Sequence, residues 1–221
     1  MAGILFIISA PSGSGKSTLV SQLRSLVEGL DFSVSYTTRS PRGSEEDGRE
    51  YHFTTREIFE GMMEADEFLE HASVFGNYYG TARSALALAA EHGRDLLLDI
   101  DVQGAMQVMG RVPEAVSIFI MPPSPQVLEQ RLRNRSAAEH MTDEEVIQRR
   151  LAQAASELKY IAEYDYAIVN DVLDVAVAEL KAIVLTERDV LDDDLPLLAA
   201  SCRTSGASIR LTQALASFTG A

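Results

Sequence analysis

Ile4-Leu5-Phe6-Ile7-Ile8-Ser9 runs directly into Ala10-Pro11-Ser12-Gly13-Ser14-Gly15-Lys16-Ser17-Thr18, and this junction decides the fold class. The first stretch is continuously apolar and rich in β-branched residues, the pattern of a strand buried on both faces. From 17 to about 27 the periodicity is helical. Between them, glycines let the backbone wrap so that successive N–H groups point at phosphate oxygens. The start of the helix adds its own unpaired N–H groups and the positive end of its dipole. In that context Ala10, Pro11, Ser12, Gly13, Ser14, Gly15, Lys16, Ser17 and Thr18 are predicted to hold a nucleoside triphosphate such as ATP. Lys16 would reach the β- and γ-phosphates, and the Ser17 hydroxyl would ligate Mg2+. The usual motif opens on glycine, and here that position is Ala10.

Outward from the loop, strands are predicted over 32–36, 51–54, 67–75, 95–100, 116–121 and 166–169, with a turn at 77–80. Helices are predicted over 56–65, 82–92, 125–135, 142–163 and 172–187. Thr142 followed by Glu145 reads as a capping box. Strands alternating with helices imply an α/β fold, a mainly parallel sheet with helices on both faces. The tail from about 191 is less regular, with one short helix over 209–218.

The 221 residues are 46% hydrophobic and 24% charged, the balance of a globular chain long enough for a sizeable core. A formal net charge of −14 argues against a nucleic-acid polymer as partner. A small anion must then be gripped by a local cluster of cations working against the overall field. No apolar run approaches the roughly 20 residues of a membrane helix. The first apolar stretch lacks a basic flank and reads as a strand, not an export signal. The single cysteine, Cys202, excludes an intramolecular disulfide framework, and a cytoplasmic location is expected.

Asp99 and Asp101 close an apolar strand, two residues apart and so on one face. They suit Mg2+, its waters, or a base, although one of them could simply cap the helix that follows. Arg39 and Arg42 lie in Ser35-Tyr36-Thr37-Thr38-Arg39-Ser40-Pro41-Arg42. Further on come Asp47-Gly48-Arg49-Glu50-Tyr51-His52-Phe53, Phe68-Leu69-Glu70-His71-Ala72, Asn77-Tyr78-Tyr79-Gly80-Thr81 and Asp99-Ile100-Asp101-Val102-Gln103-Gly104-Ala105. Tyr164-Asp165-Tyr166 and Val169-Asn170-Asp171 complete the series. Taken singly, a tyrosine here is more often a core residue and an arginine more often a solvated loop charge. In this order, over residues 4 to 188, the set resembles the guanylate kinase family.

The resemblance implies a P-loop NTPase-type core at 1–34 and 83–188. It further implies an inserted GMP-binding subdomain at 35–82, a helical lid at about 124–160 and an unassigned tail at 189–221. It implies Arg39, Arg42, Tyr51 and Tyr79 on the GMP phosphate, Glu70 as guanine reader, and Ser35, Thr81 and Asp101 around the base. It also implies Asn170 at ATP, Arg131, Arg135 and Arg150 on the transferring phosphoryl group, and Ser17 with Asp99 for Mg2+. Lys16 and Arg39 are expected to act in catalysis too. Guanine presents N1–H and an amino group side by side, matching the two acceptors of a carboxylate; adenine presents an acceptor at N1. Two other readings are weighed: a non-catalytic interaction module of the same fold, and a kinase for adenylate or thymidylate. The intact Gly13, Gly15, Lys16 and Ser17 argue against the first, and Glu70 with residues 78–81 against the second. Self-association is left open.

Overall fold

The structure is a computed structural model of the chain, describing residues 3–74, 76–138, 144–206 and 208–219, without the side chains of 135–138. The apolar run forms β1 (Leu5–Ser9), buried throughout. Gly15 turns the chain into α1 (Lys16–Leu26), whose Leu19, Val20 and Leu23 share a buried face. Then follow β2 (Leu30–Phe32), β3 (Tyr36–Thr37), β4 (His52–Phe53), α2 (Arg56–Glu64), β5 (Phe68–Val74) and β6 (Asn77–Ala82). After these come α3 (Arg83–Glu91), β7 (Asp95–Asp99), α4 (Val102–Arg111), β8 (Val116–Met121), α5 (Pro125–Ala138) and α6 (Glu144–Glu157). The chain continues through β9 (Tyr166–Val169), α7 (Leu173–Glu187), α8 (Leu195–Ala200) and α9 (Ile209–Thr219).

Five strands form one sheet, ordered β2-β7-β1-β8-β9. β2 runs parallel to β7, and β8 parallel to β9. Neighbours in this order are distant in sequence, so the connections between them are long crossovers, as parallel pairing requires. All of β8 and all but Asp99 of β7 are buried, as in a sheet covered on both faces. The expected α/β fold with a parallel sheet flanked by helices is thus what the chain adopts. A second sheet, ordered β4-β3-β6-β5, lies wholly between residues 36 and 82. There β6 is antiparallel to both β3 and β5.

The chain divides into two compact units, Met1–Ile7 with Gly29–Val116, and Ile8–Glu28 with Ser117–Ala221. In the first, Phe59 of α2 stacks on Phe68 at 4.4 Å and on Tyr78 at 5.3 Å. Gly80 faces these rings: a Cβ there would lie 2.8 Å from the Phe68 ring and 3.0 Å from that of Phe59. No larger residue fits without opening the stack. In the second unit α1 packs on α7, which buries Ala176, Leu180, Ile183 and Val184.

The structure corrects several sequence expectations. The strand predicted at 32–36 is two pieces in different sheets, because β2 ends at Phe32 and β3 begins at Tyr36. Residues 77–80 are not a turn but part of β6; the reversal falls at Gly76, with φ 82°, and β6 is held on both edges. The helix at 142–163 stops at Glu157, and a 3-10 segment, Leu158–Glu163, buries Leu158 and Ile161 at the three-residue spacing that suits it. Thr142 lies outside the described residues. The short helix expected at 209–218 is α9. The structure adds α8, whose first turn carries Pro196, and gives the helix that follows Asp101 its bounds as α4. No helix among the described residues is long and apolar enough to cross a membrane.

Candidate active site

The phosphate loop is built by backbone conformation. Gly13 has φ 89° and Gly15 φ 87°, values that a side chain disfavours. The Ser14 N–H donates to the Pro11 carbonyl at 3.1 Å, closing the turn. Ala10, buried behind it, is not among the described residues with positive φ. The replacement of the first glycine is therefore tolerated without strain. Pro11 is buried and Ser12 exposed, while Ser14 is fully buried. Lys16 is half-buried at the start of α1, with Ser17 and Thr18 exposed in the same turn.

Two groups grip this loop from the same unit. Asn170 donates its amide Nδ2 to the Ser14 carbonyl at 2.7 Å. Arg131 of α5 donates to the Ser14 carbonyl at 3.3 Å and to the Asn170 carbonyl at 2.9 Å. Burial lowers the Arg131 pKa, against the attraction of Asp171. Gly15 is also needed for close approach, since a Cβ there would lie 2.4 Å from Asn170 Nδ2. Arg150 is half-buried on α6. Arg135 lies on α5, and its side chain is outside the described residues. Arg133 instead pairs with Glu129 and Glu144 at 2.6 and 2.7 Å on an exposed surface, tying α5 to α6.

In the other unit, Thr37 and Thr38 shape the arginine loop. The Thr37 hydroxyl donates to the Tyr78 carbonyl at 3.0 Å and accepts from the Arg39 N–H at 3.2 Å. Thr38 Oγ1 accepts from the Tyr78 N–H at 2.9 Å. Arg39 is consequently buried beside Tyr51 and Tyr79: its guanidinium lies 5.1 Å from the Tyr51 ring centroid, and the two rings meet edge-on at 5.8 Å. Its two nitrogens donate to the two oxygens of Glu45 at 2.8 and 3.0 Å. The same carboxylate accepts from the Arg42 N–H at 2.8 Å. Arg42 itself is exposed. Burial opposes the charge on Arg39, but hydrogen bonds with Glu45 and Tyr79 overcome it and raise its pKa. Burial would raise Glu45; the bonds from Arg39 and Arg42 hold it below its usual range. Tyr51 is raised, first by burial and then by the charge of Asp99.

Glu70 is 3% exposed. It sits opposite Thr81 across the β5–β6 pair, at a register shift between Phe68 and Glu70. The Thr81 hydroxyl donates to Glu70 Oε1 at 2.7 Å, so this hydrogen is directed at the carboxylate. Burial pushes the Glu70 carboxyl up to about 7, against the Thr81 bond, and the charge of Asp101 adds to the rise. Helix α4 fixes β5 on either side of Glu70. Arg111 donates to the Leu69 carbonyl, and Gln107 donates to the His71 carbonyl at 2.7 Å while accepting from its N–H at 3.3 Å. A Cβ at Gly104 would lie 2.4 Å from Glu70 Oε2. Asp101 does cap α4, accepting from the Gly104 N–H at 2.8 Å. Asp99 is half-buried at the end of β7, and Ser35, also half-buried, accepts from the His52 N–H at 2.9 Å through its carbonyl.

One unit thus holds a glycine turn of phosphate-loop sequence, and the other an arginine–tyrosine cluster with a buried carboxylate. The sequence model of the guanylate kinase family matches residues 3–187. The chain belongs to the guanylate kinase family. It is 58% identical to the guanylate kinase of Koribacter versatilis over 188 residues, 85% of this chain and 80% of that one. Against the guanylate kinase of Escherichia coli K12 it is 50% identical, covering 84% of this chain and 89% of the other. The crystal structure of guanylate kinase from Anaplasma phagocytophilum superposes with a TM-score of 0.69 at 33% identity, over 88% of this chain and 96% of that one. The chain is accordingly an ATP-dependent nucleoside monophosphate kinase, with the family reaction of ATP and GMP to ADP and GDP.

Within this family setting the structure adds Glu45, Gly104, Gln107 and Arg111, which sequence reasoning gave no role. Gly104 stood in the quoted Asp99–Ala105 stretch, and a glycine inside a helix next to acidic residues is a signal of close approach. Glu45 carried none, because a glutamate in a charged loop is ordinarily solvated.

Proposed function

We propose that the ATP-to-GMP transfer in this chain is divided between these two sets of residues. The observation that carries the reading is Glu70, a buried carboxylate fixed by Thr81 and pressed against Gly104. Such a group needs a partner with adjacent donors, and the guanine edge offers two. Ser35 and Asp101 add further contacts to the base. Thr81 acts here mainly by orienting Glu70. Residues 35–82 serve as the GMP subdomain, on a core of 1–34 and 83–188 with a lid at about 124–160.

Arg39, Arg42, Tyr51 and Tyr79 hold the GMP phosphate, guanidinium forks and phenols both donating to its oxygens. A phosphate oxygen of GMP attacks the γ-phosphorus as the bond to the β-bridging oxygen breaks. The second pKa of a phosphomonoester is near 6, so no protein base is required. The main obstacle is the approach of two polyanions. Lys16, the loop amides and Arg131, Arg135 and Arg150 stabilise charge on the in-line transition state. Asn170 keeps the loop in shape for ATP.

Among the described residues no cluster of three or more His, Cys, Asp or Glu could hold a metal alone. A divalent cation would then take most ligands from phosphate and water, with hard oxygens from Ser17 and Asp99, which fits Mg2+. Bound with ATP, it would supply charge neutralisation at the β- and γ-phosphates. The absence of any long apolar helix among the described residues is compatible with a cytoplasmic enzyme. A coupled assay of ADP formation with GMP, AMP, dTMP or no acceptor tests the reading. Turnover with GMP alone is expected; equal rates with AMP would overturn the role given to Glu70.

A further inference from the structure

The family match ends at residue 187, so α9 lies outside it. We infer that α9 is a positioning element for the phosphate loop, acting through Arg210 and Phe218. The inference rests on reading residues 10–18 and Asn170 as the ATP site. Arg210 Nη2 donates to the Val169 carbonyl and, at 2.5 Å, to Asp171 Oδ1. One guanidinium thus holds the residue before Asn170 and the residue after it. Asn170 in turn donates to the Ser14 carbonyl at 2.7 Å, and its amide stands where a Cβ on Gly15 would be 2.4 Å away. There is no slack in that contact, so a displacement of Asn170 is a displacement of the loop. Asp171 also acts electrostatically on Arg131, the other group on the Ser14 carbonyl, and Arg210 shares that charge.

A second route runs through packing. Leu211, Ala214 and Phe218 lie on one face of α9. Phe218 packs with Leu151 on the buried cluster of Leu128, Leu132 and Ala154. Leu128 and Leu132 come within 3.0 and 3.1 Å of the Cβ position of Gly13, so this cluster is the wall of the loop. What fixes α9 in register is the pair between Arg210 Nη1 and Glu179 Oε1, at 2.5 Å. Glu179 is 8% exposed on α7, and a carboxylate at that depth demands a cation.

The test separates positioning from mere folding. Arg210→Met combined with Glu179→Gln removes the pair without stranding a buried charge, and Arg210→Lys keeps the charge but loses the fork. Affinity for a non-hydrolysable ATP analogue is measured by calorimetry on the full chain, beside both KM values and the melting temperature. We expect the double variant to weaken the analogue about 5- to 10-fold, with KM for GMP within about twofold, and Arg210→Lys to recover part of the loss. Phe218→Ala should shift the same parameter in the same direction. Asn170→Ala should weaken the analogue too, and its effect should be non-additive with that of the double variant, as for residues in one network. A fall in melting temperature with analogue affinity unchanged, or equal loss toward both nucleotides, overturns the inference. An Asn170→Ala variant that binds the analogue normally would instead sink the ATP-site reading beneath it.

Discussion

In the proposed phosphate loop the groups offered to an anion are backbone N–H donors, shaped by Gly13 and Gly15 at φ 89° and 87°. In the proposed GMP phosphate site of residues 36–82 they are side chains: a guanidinium on the loop after β3, with phenols from Tyr51 before β4 and from Tyr79 on β6. The difference has an electrostatic consequence. Backbone dipoles carry no net charge and need no counter-ion when the site is free. A guanidinium that is 8% exposed does need one, and Glu45 provides it through two bonds at 2.8 and 3.0 Å. On the proposed reading of Arg39 as a phosphate ligand, an incoming phosphate must therefore take it over from a carboxylate that already satisfies it. On that reading the loop site is ready by conformation, whereas the side-chain site is held ready by Glu45, an internal stand-in of the same charge sign as the proposed ligand.

The largest test of this contrast is at Lys16, the charge that supplements the backbone donors. Lys16→Ala should lower kcat by about 10^3-fold or more, since it removes a preorganised charge from the transition state. Circular dichroism and melting temperature should remain near wild type, and a variant with near-normal turnover would remove the ATP assignment.

Next in size is the proposed base reader, Glu70. Glu70→Gln should weaken GMP by about 1.5–3 kcal/mol, the scale of a charged hydrogen bond. Gly104→Ala should do comparable harm by a different route, because its Cβ would meet Glu70 Oε2 at 2.4 Å. In both, affinity for the ATP analogue should hold; parallel loss of the two nucleotides would mean a global defect.

A pH profile sharpens the same point. With the Glu70 carboxyl at about 7 in the free protein, GMP affinity should fall as pH drops from 8 to 6. Against Glu70→Gln, in which the titration of GMP itself cancels, the loss should approach about tenfold. Stability should move the other way. A carboxyl raised from 4.5 to about 7 contributes stability that is fully present below its unfolded value and is lost as pH rises through 7. Urea titrations at pH 5 and pH 8 should show this trend in the wild type and a shallower one in Glu70→Gln.

The smallest expected effect concerns the stand-in. Glu45→Gln removes the charge that competes with phosphate for Arg39, at a site only partly shielded from solvent. GMP should bind about 2- to 5-fold tighter by calorimetry, the scale of a solvent-screened ion pair. Weaker binding would show that Glu45 serves chiefly to orient Arg39.

Legibility followed the range of the interactions. Residues 4–18 were readable because a buried strand, a glycine turn and a helix start are local, and each leaves its own pattern. The acceptor residues were reached only through their joint resemblance to a family, because Arg39, Tyr51, Glu70 and Tyr79 each read singly as ordinary. The turn assigned to 77–80 failed because Asn77 and Gly80 resemble turn residues locally. Pairing of β6 with strands on both edges outweighs that preference. The single strand read over 32–36 failed for a related reason: nothing local marks the point at which a chain leaves one sheet for another.

By itself the amino-acid sequence determined the parallel α/β architecture, the phosphate loop and the family. These rest on hydrophobic periodicity, on a glycine-rich turn between strand and helix and on an ordered series of motifs. Only the tertiary structure decided that Arg39 rests on Glu45, that Gly104 gives Glu70 its room, and that Arg210 reaches from the tail to the residues around Asn170. Those facts depend on groups up to 41 residues apart in the chain meeting in the folded interior. Charge balance and steric fit at such meeting points are properties of the assembled interior, and they leave no periodic trace in the sequence.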